Sequence, residues 1–363
     1  MPFESSAPRA LPLPVLDSAA APATQLRQLL GAGHDRPPAC PYPAAAAGAT
    51  LARWQLLAAI GGHDLSLAKL FEGHTDALAI LHEALLPAPD AGTIWGTWCA
   101  HSGGPGLLLR EDGSGLRLHG RKSWCSGART VSHALVSCSN AAGEARLAAV
   151  DMGQTGIGID ASTWQAVGMR DSASADVDFD GVAASVVGDA DFYVQRPGFW
   201  HGGAGVAACW YGACASLLDS LLESLHDSPF RSLPDALLAQ PHARAADPHR
   251  LTQLGEVAVT LQGAATLMRS TAAAIDAHPH ADAMAAALTL RLAVEAAAGV
   301  TLAAVGRALG AGPLCKQRHI ARLFADLPVF IRQSHAERDL AALGAALVAN
   351  AASATIGKRP WTL

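Results

Sequence analysis

The pattern of apolar residues changes twice along the chain, and this change constrains the fold more than any other feature. Apolar residues recur at helical spacing up to about residue 90, short alternating runs between turn residues follow to about 195, and helical spacing then returns. We predict three domains: an N-terminal helical domain in 1–90, a β-domain in 91–195 and a helical bundle in 196–363. The fold class is mainly α with a central β-domain.

The helices of the N-terminal domain are predicted from capping residues and apolar spacing. A short helix near Gln25 to Leu30 precedes a proline-rich segment at 37–43. Thr50 is suited to begin the next helix, and Asp64 to cap another that runs to about residue 86. On this last helix we predict a single apolar stripe made of Leu67, Phe71, His74, Leu78, Leu81 and Leu85.

The β-domain is predicted from short runs that alternate apolar with polar residues. Turn signals at 113–115, 140–143 and 153–158 separate the runs. The predicted strands lie at 116–118, 134–138, 147–150 and 177–182. Their spacing is typical of small sandwiches and barrels.

The C-terminal bundle is predicted as four long helical stretches. They cover about 203–225, 247–277, 281–309 and 317–352, and the last is expected to be interrupted at Pro328. A proline-spaced segment at 227–246 is expected to connect two of the helices at the surface. The apolar stretch that ends at residue 309 contains Arg291, Glu295 and Arg307, which favours a buried bundle helix over a membrane span.

Composition excludes several classes of partner. A net charge of -5 and a pI near 6.3 give no basic surface for nucleic acid. The seven cysteines are scattered and never spaced as Cys-x-x-Cys, so we predict no disulfide framework, no metal site and a reducing cytoplasmic location. No apolar segment of the signal-peptide kind opens the chain, so we expect a soluble protein. The abundant alanine favours closely packed helices in a homodimer or homotetramer.

Two motifs in the β-domain carry a family resemblance. The run Lys-Ser-Trp-Cys-Ser-Gly-Ala at 122–128 resembles the lysine, aromatic, x, serine or threonine strand of the acyl-CoA dehydrogenase superfamily. The Gly-Met-Arg at 168–170, with Val-Asp-Phe-Asp-Gly-Val at 177–182, is similar to a second strand pair of that family. The Arg-Pro-Gly-Phe at 196–199 and the segments near Asp326 and Arg338 extend the resemblance over about residues 55 to 345.

The resemblance implies an N-terminal helical domain, a middle β-barrel and a C-terminal four-helix bundle. It also implies an FAD-dependent oxidoreductase, with FMN as the alternative flavin, in which a neighbouring subunit completes the flavin site. The substrate would be a small molecule, an acyl-CoA thioester. By this resemblance Trp124 packs against the flavin ring, and Ser126 lies near its N5 edge.

Two other cofactor segments of the family are imperfect here. Thr97, Trp98 and Cys99 stand where the family has a flavin-contacting strand, but Ala-His-Ser follows in place of the family's Thr-Glu-Pro. Gly310 and Gly312 stand where a glycine-rich loop of the family meets the dinucleotide pyrophosphate. The same glycines are equally typical of a helix C-cap.

The carboxylate expected of an acyl-CoA dehydrogenase is missing from both of its family positions. That reaction needs a base for the α-proton while the β-hydride goes to flavin N5. The late position falls at about Ser334, next to His335, and the early one at 202–203, where two glycines stand. Either Glu337 or Asp339 supplies the base from a shifted position, or a histidine replaces it.

A histidine alternative comes from the flavin monooxygenases of the same superfamily. The segment 64–74, which ends at His74, resembles a stretch in which their histidine faces the flavin. Those relatives pair it with a serine, here Ser126, and a second histidine, for which His335 is the nearest candidate. Three functions therefore stay open: a dehydrogenase, a reduced-flavin-dependent monooxygenase, and a non-catalytic flavin- or acyl-CoA-binding protein. His74 could also be an ordinary buried histidine.

Overall fold

The computed structural model describes most of the 363-residue chain. The described residues are 16–17, 19–31, 49–100, 103, 106–113, 115–226 and 247–353, the last four without their side chains. The predicted proline-rich segment at 37–43 and the predicted connection at 227–246 lie outside these ranges.

Three helices form the N-terminal domain: α1 (Pro22–Gly31), α2 (Thr50–His63) and α3 (Leu65–Glu83). The predicted N-cap of α3 is confirmed, because Asp64 accepts the backbone N–H of Leu67 at 2.9 Å. The predicted single stripe on α3 was wrong. Of the 19 residues in α3, 15 are buried, because helices, strand β1 and a 3-10 turn cover it on several sides. Leu85 lies beyond the helix with a positive φ and is 91% exposed.

The middle domain is one eight-stranded mixed sheet. Its strands are β1 (Trp95–Trp98), β2 (Leu107–Asp112), β3 (Gly115–Cys125), β4 (His133–Asn140), β5 (Ala145–Asp151), β6 (Ile157–Asp160), β7 (Ala175–Ala183) and β8 (Ser185–Val186). The order is β6-β7-β3-β2-β4-β5-β8, and β1 pairs in parallel with β4. All four predicted strand runs lie within β3, β4, β5 and β7. The predicted turn at 153–158 was too long, since Ile157 already pairs with Phe179.

The C-terminal domain consists of long helices and short connecting ones. They are α4 (Phe192–Gln195), α5 (Gly198–His226), α6 (Pro248–Ala277), α7 (Met284–Leu309), α8 (Ala311–Lys316), α9 (Arg318–Phe330) and α10 (Glu337–Ser353). The predicted interruption of the last helical stretch is confirmed, but it begins a few residues later than Pro328. Pro328 lies in the last turn of α9, where its missing N–H affects a single helical hydrogen bond, and the break follows at 331–336.

Close packing between α2 and α5 joins the N-terminal domain to the bundle. A Cβ on Gly61 would overlap the backbone of Cys209, and one on Gly212 would overlap the backbone of Ala58. Glycine at both positions therefore lets the two helix backbones touch. Segments of α5 and α7 are long and apolar enough to cross a membrane by composition alone, and in the structure 61% and 50% of those segments are buried.

Candidate functional site

The end of strand β3 presents Trp124 to an open cleft. A register irregularity between Lys122 and Cys125 interrupts the pairing with β7, and Trp124 there has a φ of 60° and is 55% exposed. A left-handed backbone is costly for a bulky residue, so the surroundings must impose it. The cleft has a volume of about 270 Å³ and is also lined by Trp164, Ser174 and Asp176.

Trp164 adds an unused hydrogen-bond donor to this cleft. Its Nε1 is buried and has no partner among the described residues. A buried indole N–H normally finds an acceptor, so this one is available to a molecule that enters the cleft. Trp164 belongs to the motif that precedes β7, but its role was not predicted.

A chain of serine hydroxyls leads from the carbonyl of Met169 to Ser126. Ser172 Oγ donates to the carbonyl of Met169 at 2.7 Å and lies 2.9 Å from Ser174 Oγ. Ser174 Oγ lies 3.3 Å from Ser126 Oγ. Because each hydroxyl has one proton, Ser174 can donate a hydrogen bond to Ser172 or to Ser126, but not to both at once. In the described part of the chain Ser126 Oγ donates to no acceptor, so its proton is available to a ligand.

Strand β1 contains Thr97 and Trp98, and Cys99 follows it directly. Thr97 Oγ1 donates to the carbonyl of Gly73 on α3 at 2.8 Å, and Trp98 Nε1 donates to the carbonyl of Ser126 at 3.0 Å. Burial raises the pKa of the Cys99 thiol to about 12, so it stays protonated. Trp98 therefore holds the carbonyl of Ser126, and Thr97 ties the same strand to α3.

His74 is buried where α3 meets β1. Its Nδ1 accepts the backbone N–H of Trp95 at 3.1 Å, and burial lowers its pKa to about 4. The imidazole is therefore neutral at pH 7 and carries its proton on Nε2.

The structure does not bring His335 and Glu337 to His74 or Ser126. The side chain of His335 is 62% exposed, and its Nδ1 lies 3.4 Å from Asp339 Oδ1. The backbone N–H of His335 also donates to Asp339 Oδ2 at 3.1 Å, so this contact caps the start of α10. Glu337 is exposed in the first turn of the same helix.

Gly310 and Gly312 lie apart from this group at the far end of α7. Gly310 is the C-cap of α7, with a φ of 65° and its N–H bonded to the carbonyl of Gly306 at 3.1 Å. Gly312 lies in the first turn of α8 and is exposed. Helix termination accounts for Gly310, and contact with a dinucleotide stays a prediction.

The two family positions of the base carry no carboxylate in the structure either. Gly202 and Gly203 lie in the first two turns of α5. Ser334 is 3% exposed, and its Oγ has no partner in the described residues. Two carboxylates nearby are already engaged: the buried Asp76 and the partly buried Glu83 bind Arg196 at 3.4 and 3.2 Å.

Asp326 connects the bundle to the β-domain. Its Oδ1 accepts the backbone N–H of Met169 at 2.5 Å, and burial raises its pKa. Arg322 lies on the same helix and binds Asp64 and Asp171 at 2.8 and 2.9 Å. The serine chain that begins at Met169 is therefore anchored to α9.

Two further polar residues near the start of α5 were not predicted. His201 is 5% exposed, its Nε2 is unpaired within the described ranges, and burial lowers its pKa to about 4. Arg291 is 8% exposed and donates to the carbonyl of Gly203. The position of Arg291 inside an apolar run was the one sequence signal for it.

The architecture is that of the acyl-CoA dehydrogenase fold, which flavin monooxygenases share. The structure resembles butyryl-CoA dehydrogenase from Megasphaera elsdenii with a TM-score of 0.70, 14% identity and 82% of each chain covered. It resembles KijD3 in complex with FMN and a dTDP-amino-keto sugar with a TM-score of 0.72, 18% identity, and 91% of this chain and 87% of that chain covered.

A third similar structure is a monooxygenase. TdsC from Paenibacillus sp. A11-2, a dibenzothiophene monooxygenase solved with FMN and indole, matches with a TM-score of 0.65 and 18% identity, over 81% of this chain and 82% of that chain. No protein-family profile and no curated protein sequence matches the chain. The predicted fold is thus confirmed.

Proposed function

We propose that the protein is a flavin-dependent oxidoreductase whose flavin ring lies against Trp124. The observation that carries this proposal is the half-exposed Trp124 indole, held in a left-handed backbone beside the free hydroxyl of Ser126. A flat tricyclic ring needs an aromatic wall, and its polar edge needs donors. The unpaired Nε1 of Trp164 in the same cleft supports the fit. FAD, or FMN in its place, supplies the redox chemistry when bound.

A homodimer or homotetramer completes the site in this proposal. Trp124 is too exposed in the single chain to exclude water from a redox reaction, and a second copy of the chain would cover it. The alanine-rich helices α5 and α7 suit an interface of well over ~2,000 Å², as in obligate assemblies. Light scattering at micromolar concentration tests this, and a monomer would contradict it.

Dehydrogenation of an acyl-CoA is the first candidate reaction. It requires a carboxylate that removes the α-proton. Glu337 is the carboxylate near the late family position that has no cation within salt-bridge distance among the described residues, whereas Asp339 binds the His335 backbone. In this reading Glu337 acts on substrate in the assembled oligomer.

Oxygen-dependent monooxygenation is the second candidate reaction, and a specific observation favours it. The carboxylate that lines the cleft, Asp176, lies 3.9 Å from Arg121. The groups bonded to Ser126 are the hydroxyls of Ser174 and, through it, Ser172. Neutral donors of this kind stabilise an anionic oxygen without removing a carbon-bound proton. His335, at the surface beside the late family position, would join them in the oligomer.

One experiment separates the candidates. The purified protein is analysed for bound FAD or FMN, and acyl-CoAs of several chain lengths are added without oxygen. Loss of the oxidised flavin absorbance supports dehydrogenation, and Glu337→Gln should then abolish it. If the absorbance persists, and if reduced flavin with oxygen supports substrate oxidation that His335→Ala lowers roughly 100-fold, monooxygenation is supported. The absence of any bound or bindable flavin would contradict both.

A further inference from the structure

Arg291 crosses the interior of the bundle and joins two separate backbone segments. Its Nη1 donates to the carbonyl of Gly203 on α5 at 2.5 Å, and its Nη2 donates to the carbonyl of Gln333 in the turn before α10 at 2.8 Å. The guanidinium also lies over the ring of Trp210, with 5.1 Å from Cζ to the centroid. Only two of its five N–H groups are used by these carbonyls.

Arg291 has no carboxylate within salt-bridge distance among the residues that the structure describes. The carboxylates that act on it from further away each have another partner. Glu72 binds Lys69 at 2.7 Å, Glu295 binds Arg332, and Asp339 binds His335 at 3.4 Å. The direct hydrogen bonds of this buried charge go to two neutral carbonyls, which is costly, so a structural role alone would favour an uncharged residue here.

Two other polar atoms beside Arg291 are buried without a partner. Trp210 is fully buried, and its Nε1 has no acceptor among the described residues. Ser334 follows directly after Gln333, and its Oγ is likewise unpaired. Buried polar groups are nearly always satisfied, so two exceptions around one unpaired guanidinium call for a common explanation.

We propose that Arg291, Trp210 and Ser334 form a subsite for a carboxylate group of the substrate. A guanidinium, an indole N–H and a hydroxyl are all donors, and a carboxylate offers about four acceptor positions. The occupant is thus an anion, and its charge balances Arg291. This inference rests on the proposed function, because it places the polar end of the substrate of the same enzyme.

A surface turn lies over this subsite. Arg332 and Gln333 in the turn are exposed, whereas Ser334 is buried directly beneath. Arg291 bonds the backbone at Gly203, the early base position, and at Gln333, which precedes the late one. The carboxylate would therefore lie beside the place where the family's base removes the α-proton of the substrate.

The test uses sodium butyrate as the probe and butyramide as its neutral analogue. Binding to the flavin-loaded protein is measured by calorimetry and by the butyrate-dependent rise in the thermal midpoint. Trp210→Phe removes the N–H but keeps a ring beneath Arg291, and Ser334→Ala removes the hydroxyl. Ser66→Ala is the matched control, because its Oγ is also buried and unpaired. Ser66 lies two residues after Asp64, which binds Arg322 near the opposite end of α9 from Ser334.

We expect butyrate to bind more tightly than butyramide, and both subsite variants to weaken it roughly 10-fold or more. The Ser66 variant should bind butyrate as the unmodified protein does. Equal binding of butyrate and butyramide, no butyrate binding, or unchanged affinity in both subsite variants would overturn the subsite. The flavin content of the same samples reports separately on the proposed function, because loss of flavin would refute that function whatever butyrate does.

Discussion

The imidazole Nδ1 of His74 accepts the backbone N–H of Trp95, which ties α3 to the first strand of the sheet. The bond fixes the tautomer, because the neutral ring then carries its proton on Nε2. It also positions β1, and thereby Trp98, whose indole holds the carbonyl of Ser126. A buried histidine thus connects the N-terminal helices to the proposed flavin edge.

Removal of the His74 acceptor should destabilise the protein. His74→Leu leaves the Trp95 N–H buried without a partner, which costs about 1–3 kcal/mol. His74→Gln retains an acceptor oxygen and should lose less. Urea unfolding followed by tryptophan fluorescence measures the difference, and equal stability of the leucine variant and the unmodified protein would contradict the role of this bond.

Stability should decrease as the pH falls from about 6.5 to about 4, because two buried histidines resist protonation in the folded protein. Burial lowers the pKa values of His74 and His201 from 6.5 to about 4. Between these pH values the unfolded chain binds more protons than the folded one, so their contribution is complete above about 6.5 and is lost as pH falls towards 4. The loss should be on the order of 2 kcal/mol for each histidine. The free energy of unfolding, measured at several pH values in this range, should depend less on pH in a His201→Leu variant.

The pairing of Arg196 with Asp76 and Glu83 should contribute strongly to stability. The Arg196 side chain is 2% exposed, so Arg196→Met would leave the buried Asp76 and the partly buried Glu83 without a cation. We expect a loss of about 3–5 kcal/mol. Arg121→Met is a matched control on the exposed pair with Asp178, and it should change stability little. Similar losses in the two variants would argue against the buried pair.

The contact between the β-domain and α9 should not tolerate a side chain at Gly168. A Cβ there would overlap the carbonyl of Ala325, so Gly168→Ala must separate the two segments and should cost about 1–3 kcal/mol. At Gly263, inside α6, nothing lies within 4 Å of an added Cβ, and Gly263→Ala should stabilise by about 1 kcal/mol. Thermal unfolding of both variants measures this difference. A Gly168→Ala protein as stable as the unmodified protein would contradict the prediction.

Local patterns in the sequence predicted four of the eight strands. The alternating run at 177–182 lies within β7, and the cap at Asp64 begins α3 as expected. The extent of burial was harder to predict. Residues of α3 outside the predicted stripe are buried because other domains cover them, and such contacts come from distant parts of the chain.

The candidate site was only partly predictable for the same reason. Trp124 and Ser126 lie in one motif, so the sequence could indicate them together. Arg291, Trp210 and Ser334 come from three separate segments, and their proximity depends on how α5, α7 and the turn after α9 pack. Unpaired buried atoms are visible only once the partners of every polar group are known.

The central claim is that Trp124 forms the wall of a flavin site, and a flavin titration tests it most directly. Quenching of FMN and FAD fluorescence is followed as protein is added, for the unmodified chain and for Trp124→Phe and Trp124→Ala. Loss of base–aromatic or ring stacking of this kind typically costs ~1–3 kcal/mol, so we predict binding that is about 10-fold or more weaker in the alanine variant and largely retained in the phenylalanine variant. Equal flavin affinity in the unmodified chain and the alanine variant, or no flavin binding by the unmodified chain, would contradict the account.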